Sequence, residues 1–584
     1  MTKFFASLLA LLMCAGGAAR SQTVQVTVQA QRVHHPINPL LYGINTARWD
    51  ESLFPERAEE MLLSCDRDTI AKIQASGVTL LKYPGGNDAD AYVWNAPGNN
   101  PAEMDTDEYL ALCRAVGAEP FITINFNAPP HLAADWVQYC NRERGYNVKY
   151  WEVGDEQWGT WARGHAPPEV YAEKYMMFVR AMKAVDPTIR VATNVPLGPH
   201  PEQWTTRVLK AAGKDVDLIT FTFYPQQWGK EHDDSLLASV DVYRRQFLDL
   251  RREVVQALGD QRGRSIWLVN VGYNSVNHSP GPQTLQMVNA LWTGEMLGTM
   301  AETGTDGACY WALHNAFPPR NGDYGYLSSE GTNTPSYTYR VFPMLAPRFR
   351  GVAIRTGSGD PRVRVYAAKN GKALTLMLIN RDRTQSVTVS VRYEGFVPKS
   401  EGLLSILDSH SPPATGTTTT RITDPFLFRL PSSSLSVVEL AAADSIAPPV
   451  NLALRASASA STFSVIGPQF GPASAADGKP HTRWCSAAWT KSNGEEAQWL
   501  LLAWTVPQEV RRVRIQWGET WGTHYRLEVS PDAVIWDTVR EVTGGKGGIE
   551  EFTWAPLICR YIRLSGIRGT KGISAYAVKE MEVY

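Results

Sequence analysis

The chain has almost no net charge: 57 lysines and arginines stand against 58 aspartates and glutamates. Nothing in that balance favours nucleic acid or an anionic membrane as partner, and none is expected. After the N-terminus no apolar run is long enough to span a bilayer. Cysteine is scarce, seven in all. Beyond Cys14, the residues Cys65, Cys113, Cys140, Cys309, Cys485 and Cys559 match no zinc spacing and no recognisable disulfide framework, so buried free thiols are expected. One local absence bears on chemistry. Between Arg264 and Gln283 there is no aspartate or glutamate, although this stretch contains the apolar run Ile266–Val271.

Aromatic residues, by contrast, are plentiful, with 19 tryptophans and 23 tyrosines. Their flat faces suit the C–H faces of sugar rings, although core packing claims most such residues. Lys3 precedes the apolar stretch Phe4 to Met13, followed by small residues and Ala19-Arg20-Ser21. This pattern reads as a secretory signal over 1–21 and predicts a secreted or periplasmic protein.

At 584 residues the chain exceeds one ordinary core and implies several domains. From 38 to 349, strand-like runs alternate with helical patterns. The expected strands are Leu40–Asn45, Leu80–Pro84, Pro120–Asn125, Tyr150–Gly154, Arg190–Asn194, Leu218–Tyr224, Ile266–Val271 and Ala308–Leu313. Val240, Tyr243, Phe247, Leu250, Val254 and Leu258 recur at helical steps between two of them. Strands each followed by a helix predict a (β/α)8 TIM barrel. From 350 to 440 the period changes to two, as in Leu374–Ile379, Val387–Val391 and Leu435–Leu440. This predicts an accessory β-sandwich, which the alternating segment within 23–37 completes. Residues 441–450 read as a linker, and 451–584 as a further strand-rich domain.

Strand tips at the C-terminal end of such a barrel carry its chemistry. Lys82-Tyr83-Pro84-Gly85-Gly86-Asn87 after the second strand and Gly154-Asp155-Glu156 after the fourth resemble the arabinofuranosidase branch of the retaining glycoside hydrolases. The resemblance implies that Glu156 is the acid/base. It also implies a cleft rim of Asn87, Asn125, Asn127, Tyr224 and Trp311, and no cofactor for the barrel. Three positions depart from that pattern. Asp155 stands where an asparagine is usual, and Thr222 where a histidine is usual. Asn270 occupies the expected position of the nucleophilic glutamate. An amide is a poor nucleophile, and no shift of register restores a carboxylate. Glu295 lies within the helical stretch Val288–Met300 and points away from the strand tips.

Two readings follow. In one, the protein is a glycan-binding, glycoside-hydrolase-like scaffold for plant or microbial polysaccharide, its retaining hydrolysis impaired. In the other, catalysis persists through Glu156 and a non-standard second group. That group could be Asp88 or Asp90 acting as base, a nucleophile supplied by the substrate with Asn270 orienting it, or Asp155 sharing the work.

Asn451-Leu452-Ala453-Leu454, Ala476-Asp477-Gly478-Lys479-Pro480-His481-Thr482-Arg483-Trp484, Gln498-Trp499-Leu500 and Arg560-Tyr561-Ile562-Arg563-Leu564 together resemble a discoidin (factor V/VIII type C) domain, a jelly-roll sandwich. The resemblance implies glycan contacts from end loops, for which Trp489, Trp521 and His524 are candidates. It also implies a structural calcium held by Asp477 and Glu580.

Overall fold

The computed structural model describes residues 23–50, 67–96, 103–328, 333–409, 416–443, 451–464, 470–479, 481–488, 498–570 and 575–584. The expected leader, Cys65, Trp489 and most of the expected linker lie outside them. The chain divides into two compact units, Met1–Ala443 and Asp444–Tyr584.

In the first unit, eight parallel strands close into a barrel in chain order: Gly43–Asn45, Leu80–Tyr83, Glu119–Ile124, Tyr150–Val153, Arg190–Asn194, Leu218–Phe223, Trp267–Tyr273 and Gly307–Tyr310. Strand alternation explains both layers of its core. Leu80, Phe121, Tyr150, Ala192, Leu218, Val269, Val271 and Cys309 fill the barrel interior. Their neighbours Leu81, Ile122, Trp151, Val191, Ile219 and Leu268 face outward and pack with the helices. The helix Asp233–Leu258 buries Leu236, Val240, Tyr243, Phe247, Leu250 and Val254 against that layer, the face its periodicity implied.

The helix Met287–Thr303 is buried on almost every side. It lies between the barrel and a second layer, where a Cβ on Gly294 would stand 2.3 Å from Leu435 Cδ1 and one on Gly298 would stand 2.5 Å from Tyr366 Cγ. Glu295 is buried within it, far from solvent and held by Arg381, with Arg364 Nε 3.7 Å away. It therefore belongs to the joint between layers.

That second layer is one nine-stranded sheet curled around its own apolar core. Its N-terminal strand, Val24–Ile37, runs antiparallel to Gly351–Ser358 and parallel to Val387–Glu394. Val24, Val26, Val28 and Ala30 from this strand face Leu374, Leu376, Leu378 and Val389 in the core.

The second unit is a seven-stranded antiparallel sheet system whose core includes Trp484, Trp504, Trp517 and Tyr525. Cys113, Cys140, Cys309, Cys485 and Cys559 are free thiols. Among the described residues no helix is long and apolar enough to cross a membrane.

Candidate active site

A cleft of about 460 Å³ opens at the C-terminal ends of the barrel strands, within the size range of small-ligand sites. Asn87, Asp155, Glu156, Thr222, Tyr224 and Trp311 all line it, as do Trp49, Trp161, Asn315 and Tyr324. The Asn87 Oδ1 is buried without a hydrogen-bond partner.

The fourth strand ends at Val153, and the chain then turns sharply. Gly154 has φ 69° and Glu156 has φ 56°, both in the left-handed region. A Cβ on Gly154 would stand 2.2 Å from Gln157 Nε2, so only glycine fits. Along a regular strand, adjacent side chains point to opposite faces. This turn instead brings both Asp155 and Glu156 to the cleft.

The turn is held from behind. Asp90 Oδ1 accepts the Phe126 N–H at 2.9 Å, and its Oδ2 accepts from Asp155 N at 3.1 Å and Gln157 Nε2 at 2.5 Å. Asn194 Nδ2 donates to Gln157 Oε1 at 2.7 Å, while its own Oδ1 accepts from Gln157 N at 3.1 Å. Burial pushes the Asp90 carboxyl up to about 7, against the pull of its N–H donors. Asp90 lies behind the cleft wall, so it positions the turn and does not face a substrate. Asp88 does line the cleft, with its Oδ1 3.1 Å from Arg163 Nη2.

Beneath the turn sits a buried lysine. Lys82 Nζ lies 3.2 Å from Glu152 Oε2 and 3.2 Å from Asp155 Oδ1, with all three side chains at most 8% exposed. Burial alone would lower the lysine pKa, but the attraction of Glu152 and Asp155 reverses this and holds it above the usual range. Thr123 Oγ1 donates to Glu152 Oε2 at 2.7 Å. Strand alternation contained this signal: Leu80 faces the barrel interior, so Lys82 does too, as Glu152 does after Tyr150.

Glu156 is held from two sides. Thr222 Oγ1 donates to its Oε1, and Trp161 Nε1 donates to its Oε2 at 2.8 Å. Burial raises its pKa above the ordinary glutamate value, and the charge of Asp155 adds to this. The two hydrogen bonds oppose the shift. A carboxyl that keeps its proton above the ordinary glutamate range is suited to general acid chemistry. Trp161 is 63% exposed, an open aromatic face beside that acid.

The seventh strand requires a correction. Asn270 is fully buried and pairs with Phe221, an outward residue packed on Tyr243 and Phe247, and it approaches Tyr243 in the helix layer. It does not line the cleft. The register with the sixth strand shifts here, Asn270 pairing with Phe221 and Gly272 with Thr222, so Val271 is the extra residue of a bulge. Val271 and Gly272 together form the cleft wall at this point. The Val271 carbonyl accepts from Asn45 Nδ2 at 3.0 Å. At Val271 and Gly272 the seventh strand therefore presents a valine side chain and peptide backbone to the cleft, with no carboxylate.

Asn125 and Asn127 also prove structural. Asn125 Nδ2 donates to Tyr92 O at 3.2 Å and its Oδ1 accepts from Asn127 N at 2.8 Å. Asn127 Nδ2 donates to Asp90 O at 3.0 Å. These bonds shape the loop after the third strand, outside the cleft lining.

In the second unit, the Trp521 indole N–H donates to Gly545 O at 3.1 Å and its ring packs on Gly547. His524 Nε2 pairs with Glu541 Oε1 at 2.7 Å. Asp477 accepts from Lys479 N at 2.9 Å and from Thr482 Oγ1 at 2.8 and 3.0 Å. Glu580 Oε1 accepts from Gly478 N at 3.2 Å, while Oε2 is buried with no partner. Burial and the Asp477 charge push Glu580 up to about 7. No cluster of three or more metal-ligating side chains occurs among the described residues. An orphaned buried carboxylate oxygen beside a second carboxylate nonetheless fits a hard cation.

Comparison with known proteins bears on both units. Residues 456–578 match the F5/8 type C domain family. A probable alpha-L-arabinofuranosidase C of Aspergillus clavatus is 27% identical over 210 residues, 30% of this chain and 42% of that relative. An intracellular exo-alpha-(1->5)-L-arabinofuranosidase of Streptomyces lividans is 25% identical over 263 residues, 38% of this chain and 40% of its own length. The chain thus spans about two-fifths of these curated relatives. The alpha-L-arabinofuranosidase of Thermotoga maritima, solved as an arabinose complex, superposes with a TM-score of 0.61 at 21% identity, over 72% of this chain and all of that one. The barrel and β-sheet layer therefore share the fold of that structure, and residues 456–578 follow as an F5/8 type C domain.

Proposed function

We propose that the protein is a secreted, glycan-binding member of the glycoside-hydrolase-like scaffolds, recognising plant or microbial polysaccharide and lacking two-carboxylate retaining hydrolysis. One observation carries this reading: Val271 and Gly272 form the wall where a nucleophile would face Glu156. Retaining chemistry needs a second carboxyl about 5–5.5 Å from the first, across the scissile bond. The cleft carboxylates Asp88, Asp155 and Glu156 come instead from the second- and fourth-strand loops. Open aromatic faces and side-chain amides support glycan binding, as do the arabinofuranosidase relatives and the F5/8 type C match.

The test uses the full chain with arabinan fragments and aryl arabinofuranosides. Calorimetry is expected to show binding without turnover, and Trp161→Ala to weaken that binding roughly tenfold, about 1.4 kcal/mol. Turnover by the native chain that disappears in Glu156→Gln would sink the binding-only reading for these substrates. Val271→Glu places a carboxyl in the cleft and is expected to gain hydrolysis of activated furanosides. Asn270→Glu buries an unpaired charge in the helix layer and is expected only to destabilise.

In the second unit, Asp477 and Glu580 would hold a structural calcium, which would supply the positive charge that Glu580 Oε2 lacks. A carboxyl raised from 4.5 to about 7 keeps in the folded state a proton that the unfolded chain has lost. Stability of this unit should therefore fall as pH rises from about 4.5 through about 7. Calcium at a hundredfold excess over its Kd should restore about 2.7 kcal/mol above that window. Thermal unfolding at pH 5 and pH 8 with calcium or chelator checks this, and a melting point indifferent to calcium at pH 8 would remove the metal. Glu580→Gln should abolish both dependences.

A further inference from the structure

The cleft retains an acid but has lost its partner, and what stands beside the acid is specific. Asp155 Oδ1 is engaged by Lys82 Nζ at 3.2 Å, which holds the carboxylate in place. Its Oδ2 has no hydrogen-bond partner among the described residues. That atom faces the cleft wall at Gly86 and Trp311, 3.9 Å from where a Cβ on Gly86 would stand. It is an acceptor awaiting a donor. The Tyr224 hydroxyl also lines the cleft without a partner among the described residues, 2.8 Å from where a Cβ on Gly272 would stand. It is a donor awaiting an acceptor, and the absence of a side chain at Gly272 leaves it room. Acceptor and donor line the same cleft as Val271 and Gly272, where the seventh strand supplies no nucleophile.

A secondary amide carries both complementary groups, an N–H and a carbonyl. We propose that the cleft takes a 2-acetamido-2-deoxy sugar in 1,2-trans linkage and cleaves it by substrate assistance, with Glu156 as acid/base and Asp155 and Tyr224 holding the acetamido group. This deepens the glycan-binding reading above and rests on it. In the first step Glu156 gives its proton to the leaving oxygen as the C1–O bond breaks. The acetamido carbonyl oxygen bonds to C1, and the resulting oxazolinium nitrogen carries positive charge opposite the Asp155 carboxylate. In the second step the Glu156 carboxylate takes a proton from water, whose oxygen bonds to C1. The bond from C1 to the former carbonyl oxygen breaks, and its electron pair restores the amide. One water is consumed, Glu156 is again protonated, and the anomeric configuration is retained.

The experiment uses the full chain with aryl 2-acetamido-2-deoxy-glycosides of gluco and galacto configuration, their 2-hydroxy counterparts and a 2-fluoroacetamido series. A thiazoline analogue of the bicyclic intermediate serves as binding probe by calorimetry. Expected are turnover confined to the acetamido substrates, a kcat that falls at least tenfold from acetamido to trifluoroacetamido, and tighter binding of the thiazoline than of the parent sugar. Asp155→Asn should lower kcat at least a hundredfold with folding unchanged by circular dichroism. The fluorinated series tests the same step without altering the protein. Glycan binding with no cleavage of any acetamido substrate overturns this inference and leaves the binding reading intact, as does turnover insensitive to fluorination. Absence of any glycan binding overturns both.

Discussion

Replacing Lys82 with methionine is expected to destabilise the barrel by about 3–5 kcal/mol, the usual cost of removing one partner from a buried charge cluster. The lysine is 2% exposed and is the cation that Glu152 and Asp155 share at 3.2 Å each. Methionine keeps most of the side-chain volume, so the loss is electrostatic and not a cavity. Without the ammonium, burial holds the Glu152 carboxyl protonated to higher pH in the folded state than in the unfolded chain. The native state then binds protons that the unfolded chain releases, so the variant loses stability as pH rises above the ordinary carboxylate range. The deficit relative to the native chain should be several-fold smaller at pH 5 than at pH 8 in denaturant unfolding followed at the barrel's aromatic signal. Adding Glu152→Gln should recover part of the loss, because it removes one stranded charge. A Lys82→Met chain as stable as the native one at pH 8 would show that the cluster is not dry, and Asp155 would then be free to move.

Under the substrate-assisted inference, Glu156→Gln is expected to lower turnover of unactivated 2-acetamido-2-deoxy glycosides by about 10²–10⁴-fold, the range for a positioned general acid, while changing sugar affinity less than threefold. Glutamine keeps the shape: its single amide oxygen can accept from Trp161, while its NH2 faces the Thr222 hydroxyl and donates to it. It cannot deliver a proton. Burial and the neighbouring Asp155 charge raise the Glu156 pKa above its ordinary 4.5. The acid form, and with it activity, therefore persists above the normal glutamate range and declines as pH rises through the shifted value. The alkaline limb of the kcat profile should disappear in the variant, and aryl glycosides with good leaving groups should be affected least. An unchanged alkaline limb would assign the acid to another group.

Much of the scaffold was readable in the residues. Apolar strand-like runs separated by helical stretches mark the eight barrel strands to within a few residues, because each strand buries one side chain inward and the next against a helix. Arg190–Asn194 is the strand expected, whereas Gly43–Asn45 is shorter than its apolar run because Pro39–Leu41 forms a turn of 3-10 helix. The F5/8 type C segment was legible from separated motifs spread over its length. The site was read less well at the seventh strand. Apolar runs show where a strand is, but not which of its faces is inward: Val269 and Val271 face the barrel interior, so alternation turns Asn270 outward to the helix layer. Asn125 and Asn127 were misjudged for a related reason: an asparagine that shapes a loop and one that meets a ligand look alike in sequence.

The sequence by itself determined that no carboxylate could face Glu156 from the seventh strand, since none exists between Arg264 and Gln283 in any register. Its alternating strand and helix patterns also pointed to the barrel, because such patterns act locally, and separated motifs carried the resemblance of the C-terminal segment to a discoidin domain. Only the tertiary structure decided that Asp155 and Glu156 enter the cleft together. That outcome depends on left-handed backbone at Gly154 and Glu156, stabilised from behind by Asp90, Gln157 and Asn194, and on Lys82 reaching across from another strand. Backbone handedness and buried charge compensation arise from contacts between residues distant in the chain, and a linear pattern does not encode them.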